Sequence, residues 1–136
     1  MKFEKEEPEK NFKPVEEWFK QAEYDLETAK AMFSTDRFIY TVFMCHLTIE
    51  KALKGLYTKK FKSNAPKTHD LIYLVKKIEL ELLPSYRDFL ETLNDLSVPT
   101  RYPDDLERLL NQYRREKTEE ILLKTEELFL WIRGNL

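Results

Sequence analysis

Two glycines in 136 residues, Gly55 and Gly134, leave no place for a glycine-rich phosphate loop. Such a loop needs several glycines close together so that the backbone can approach its ligand. One cysteine, Cys45, excludes an internal disulfide and any cysteine-rich zinc site. Only two histidines occur, His46 and His69, without the Glu-x-x-His repeat of di-iron bundles, so no metal and no cofactor is expected. Nowhere do about 18 apolar residues run together, and no membrane span is expected. The N-terminal MKFEKEEPEKNFK has no apolar core and does not read as a signal peptide. These absences lead to the expectation of a cytoplasmic protein. Charge of one sign is lacking too: 23 Lys and Arg face 25 Asp and Glu, for a net charge of -2. That balance does not mark a general nucleic-acid binder, although it leaves room for a local basic patch.

What is present is helical. The 42% hydrophobic and 35% charged content is that of one globular domain with a real core. Apolar residues recur at helical spacing in about five segments. The first, from Pro14 to Phe33, aligns Val15, Trp18, Phe19, Ala22, Leu26, Ala29 and Phe33 on one face, with Pro14 at a tolerated first-turn position. A second, expected after Asp36 as N-cap, runs to about Lys60 and is apolar nearly all round, as a helix packed on several sides would be. The third holds Leu71, Ile72, Leu74, Val75 and Ile78, with Thr68 as its expected cap. A fourth opens at Ser85 and Asp88 in a capping-box-like arrangement. The last, expected to be capped by Thr118, carries Ile121, Leu122, Leu128, Phe129 and Ile132, and Gly134 lies where a C-cap glycine belongs. The expected fold is all-α, an up-and-down bundle of about five helices over residues 14–136, preceded by a charged, flexible segment, 1–13.

Chemistry is sought where polar residues interrupt apolar faces. His46, Glu50 and Lys54 recur at steps of four and so line one edge of the second helix, with Tyr57 extending the row. Ion pairing at the boundary of core and solvent accounts for them; a His-x-x-x-Glu pair sharing a face could also hold a metal, but the chain lacks the further ligands such a site needs. Cys45 lies in an apolar run and reads as a buried structural thiol. His46 points about 100° away from it around the helix, so the two do not form a nucleophile and base. Lys54, Lys59, Lys60, Lys62 and Lys67 form an acid-free stretch, either solvated or an anion-binding rim. Finally, VPTRYPDD at 98–105 sets Arg101, Tyr102 and Asp104 between and after two prolines, which are expected to break the helix. Arg101 offers a forked cation and Tyr102 a stacking face; anchoring the loop to Glu50 or Asp104 is the alternative.

The ordered motifs CHLTIEKALKGLY, KTHDLIYLV and RYPDD resemble the HEPN domain, over about residues 15 to 133. The resemblance implies a helical bundle, usually a homodimer, working in nucleotide or RNA transactions. It further implies a place beside minimal nucleotidyltransferases, often within toxin–antitoxin systems. HEPN ribonucleases carry an arginine, then four to six intervening residues, then a histidine. Here Arg101 would be the arginine, but Leu106, Glu107 and Arg108 stand where the histidine should be, and neither Arg37 nor Arg87 has a suitable histidine after it. General acid–base cleavage needs a group that titrates near neutrality, and no catalytic residue is assigned. The resemblance therefore points to the non-cleaving, nucleotide-binding branch. The ligand-binding candidates are Arg101, Tyr102, Asp104, His46, Glu50, Lys54 and His69. A divergent, metal-independent ribonuclease using His46 or His69 is the alternative. Tyr40, Phe43 and Met44, on faces of the second helix that one core does not need, support a homodimer.

Overall fold

The structure, a computed structural model, describes residues 11–101 and 103–136, and for Val98 and Arg101 the backbone alone. Most of the expected N-terminal segment and the binding candidate Tyr102 thus lie outside the described residues. Among the described residues seven helices follow one another: α1 (Val15–Ser34), α2 (Phe38–Phe61), α3 (Leu71–Ile78), α4 (Pro84–Asp95), α5 (Ser97–Arg101), α6 (Leu106–Gln112) and α7 (Arg115–Arg133). There is no strand among them. The expected all-α bundle is found, and α1, α2, α3, α4 and α7 are its five expected helices.

Helix α2 is the axis of the bundle. It packs most extensively on α1, then on α7 and α3, and α5 also lies against it. That is why its apolar residues run all round: Ile39, Val42, Cys45, Ile49, Ala52 and Leu53 are all buried. Gly55 lets α1 come close, because a Cβ there would sit 2.5 Å from Phe19 Cε2 and 3.2 Å from the Cβ of Trp18. At the α1–α2 turn Asp36 takes a left-handed backbone (φ 62°), which Asp tolerates better than most residues. Its carboxylate does not cap α2; Arg37 is the N-cap, without a side-chain bond. Instead Asp36 accepts from Arg115 at 2.6 Å, and the guanidinium lies 4.7 Å from the Phe33 ring centre and 5.5 Å from that of Phe38. One arginine of α7 thereby closes the α1–α2 turn.

Four other expectations about helix ends are corrected. Asp70, not Thr68, caps α3, accepting from the backbone N–H of Ile72 and Tyr73. Helix α4 begins one residue before Ser85, with Pro84 in its first turn, where the missing amide costs nothing. Helix α7 begins at Arg115, so Thr118 is an interior, buried residue. The VPTRYPDD stretch does not stay non-helical: α5 forms with Pro99 in its first turn, where no intrahelical amide bond is lost. Helix α6 arises within the expected polar segment, burying Leu109 and leading to the buried Tyr113. Asp105 caps it by accepting from Arg108 N.

Candidate ligand-binding site

Steps of four residues on α2 place His46, Glu50, Lys54 and Thr58 in one line, and all four are buried. The expected ion pairing is therefore present but lies beneath the surface rather than at its edge. Thr58, not Tyr57, completes the row; the Tyr57 ring instead packs at a tilt against Phe61, with ring centres 4.5 Å apart. What covers the row is the α2–α3 loop, which runs back along the helix. At one end Thr58 Oγ1 donates to Ser63 O (3.4 Å), and at the other His46 Nε2 donates to His69 O (3.0 Å). A carbonyl oxygen only accepts, so His46 carries its proton on Nε2 in this contact.

Glu50 is the centre of the cluster. Its Oε2 accepts from Lys54 Nζ at 2.9 Å and its Oε1 from His69 Nδ1 at 3.0 Å, while His46 Nδ1 lies 3.7 Å from Oε1. A buried carboxylate needs such partners, because desolvation without them costs several kcal/mol. The same contacts fix His69 twice, at its carbonyl by His46 and at its ring by Glu50. Its side chain nevertheless remains 58% exposed. With Nδ1 bound to a carboxylate, Nε2 is the ring atom left for solvent or a ligand. Lys54 is also held 5.9 Å from the Trp18 ring centre, and Lys51, its neighbour one turn back, pairs with buried Asp25 of α1 at 2.9 Å.

The KTHD stretch is built with equal care. Thr68 Oγ1 accepts from Asp70 N, Asp70 caps α3, and Asn94 of α4 joins them. Asn94 Oδ1 accepts from Leu71 N at 2.8 Å while its Nδ2 donates to Asp70 Oδ1 at 3.2 Å. Sequence reading missed Asn94 and the capping role of Asp70. Asp70 sits immediately before the apolar Leu71, which is an N-cap signal; Asn94 lies too far along the chain to have one.

The lysine run divides. Lys54 is spent on Glu50, and Lys60 donates to Ile78 O and Glu79 at the end of α3. Lys59, Lys62 and Lys67 are exposed, and the last two belong to the loop that carries His69. Asp104 is exposed beyond α5. Arg101 closes α5, which packs on α2, while its side chain and all of Tyr102 lie outside the described residues. His46, Glu50, Lys54 and His69 are thus brought together, and only His69 among them faces outward. Cys45 is fully buried and burial pushes its thiol up to about 12, which removes it as a nucleophile. Among the described residues no group of three or more acidic, histidine or cysteine side chains is placed to hold a metal. No described helix is long and apolar enough to cross a membrane.

Residues 15–135 match the HEPN domain. The chain belongs to the HEPN domain family. Among solved structures, TT1696 from Thermus thermophilus is similar with a TM-score of 0.79 at 21% identity, covering 90% of this chain and 98% of that one. ST0689, described as an archaeal HEPN homologue, is similar with a TM-score of 0.72 at 27% identity, over 91% and 98% of the two chains. A search of curated proteins gave no match. The family match and the two structural similarities each extend over nearly the whole chain.

Proposed function

We propose that this HEPN chain is a non-catalytic, homodimeric module that binds a nucleotide or an RNA segment. We assign it as partner of a minimal nucleotidyltransferase in a toxin–antitoxin-like system, as its resemblance to that branch of the family implies. The observation that carries the binding reading is His69. A buried four-residue row holds this one exposed imidazole at both its backbone and its ring. A preoriented donor or acceptor two residues from the exposed Lys67 suits a phosphorylated ligand, because little ordering is left to be done on binding. Arg101, Tyr102 and Asp104 supply the second group of contacts in this reading. The absence of a histidine at 106, 107 or 108, after four to six residues beyond Arg101, supports binding without cleavage.

The test is titration of labelled nucleotides and a short single-stranded RNA into wild type, His69→Ala and Arg101→Ala, followed by fluorescence anisotropy. Each variant is expected to lose roughly 1.5–3 kcal/mol of binding, as for a charge-assisted hydrogen bond. Unchanged affinity in both variants sinks the site.

One observation favours the alternative, a metal-independent ribonuclease. Glu50 holds Nδ1 of His69 and leaves Nε2 outward, which is how an orienting carboxylate prepares a proton-accepting histidine. RNA degradation by purified protein in chelator, abolished by His69→Ala, would replace the binding-only reading.

A further inference from the structure

Helices α4 and α7 diverge over the core and leave a groove of about 440 Å³ with Phe89 and Ile121 at its floor. Lys117, Glu120, Lys124 and Glu127 of α7 line its rim, so the charges alternate along the helix. Their spacing is a palindrome about position 122: Lys117 and Glu127 stand five residues to either side, and Glu120 and Lys124 stand two. Antiparallel helices related by a two-fold axis pair residues equidistant from that axis, and a two-fold interface brings one patch against itself. An α7 laid antiparallel on its own copy about position 122 would therefore set every rim cation opposite a rim anion.

Two details show that the rim is prepared for this. Glu127 is already fixed by accepting from the Tyr86 hydroxyl at 3.0 Å, and the Tyr86 ring rests 5.3 Å from that of Trp131. Lys117, in contrast, has no ion pair within its own chain among the described residues. Glu120 pairs with Lys124 at 3.0 Å, and the two neighbouring lysines hold its carboxyl below the usual range, Lys124 first through a hydrogen bond. A second copy would extend that pair into one four-membered network across the axis, Glu120 and Lys124 from each chain.

We infer that the α4–α7 groove is the surface through which two copies of this chain associate, α7 against α7 in antiparallel register. This deepens the dimeric part of the reading above and rests on it. Light scattering across a concentration series separates the two. Wild type is expected to approach twice the chain mass of 16.5 kDa. Lys117→Glu sets like charges together twice, once for each symmetry-related contact, and is expected to raise the dissociation constant about tenfold or more. Adding Glu127→Lys restores opposite charges and is expected to recover most of that loss. Both positions are exposed, and circular dichroism confirms that each variant is folded. A wild type that stays monomeric overturns dimerisation altogether. A dimer indifferent to Lys117→Glu, or one the second substitution fails to rescue, overturns this interface alone.

Discussion

Glu50 shows what a single residue does in this fold. One carboxylate joins Lys54, His69 and the neighbourhood of His46, and it is only 4% exposed. Glu50→Ala would leave the Lys54 ammonium buried without its partner and release the His69 ring. Removing one member of a buried pair costs about 3–5 kcal/mol, and the melting temperature should fall accordingly. Lys54→Ala should cost a similar amount, and the double variant less than the sum, because either single change already breaks the pair. His69→Ala should be far milder in stability, since its side chain is mostly in water. Thermal melts of the four variants check this; additive losses would mean that Glu50 and Lys54 stabilise separately. The row itself was legible at this scale, because a step of four is visible in the sequence. Its burial was not. Burial depends on the loop folding back over α2, and no local pattern in KSNAPKTH encodes the path that His46 and Thr58 impose.

At the scale of elements, the sequence revealed those helices whose apolar faces are long enough to show a period. Helix α1 buries Phe19, Ala22, Leu26 and Ala29, and α7 buries Ile121, Leu122, Leu128, Phe129 and Ile132, as the spacing indicates. Helices α5 and α6 escaped because five and seven residues hold too little pattern, and because Pro99 reads as a breaker unless its first-turn position is known. Helix ends were the weakest part for a related reason: the cap is chosen by backbone geometry, and Asp36 is turned toward Arg115 instead. Asp70→Ala tests a cap that geometry did choose. It removes two acceptor contacts at the start of α3 and one to Asn94, and about 1–2 kcal/mol of stability should go with them. Gly55→Ala tests the close approach of α1 to α2. In an exposed helix that change would stabilise, because alanine is the better helix former. Here the added methyl meets the Phe19 ring, so α1 must shift, and a net loss of about 1–3 kcal/mol is expected. A variant that melts at or above the wild-type temperature would show that α1 yields freely.

On the scale of the whole molecule, a chain of net charge -2 cannot draw a polyanion to its entire surface. If RNA binds, it does so at a local patch. The cations that this reading draws on are Lys62 and Lys67, exposed on the α2–α3 loop, and Arg101 at the end of α5. Lys54 and Lys60 are already committed within the protein. Each phosphate neutralised on a single strand contributes about -0.7 to the slope of log affinity against log salt, so three or so contacts give a slope near -2. Lys62→Ala and Lys67→Ala should each flatten it by roughly one contact while leaving stability within about 0.5 kcal/mol of wild type. Anisotropy titrations of a short single-stranded RNA from low to physiological salt measure the slope directly. A value several times steeper would mean that the strand follows an extended basic track instead, and it would take His69 out of the centre of the site. A slope near zero would place recognition in stacking and neutral hydrogen bonds.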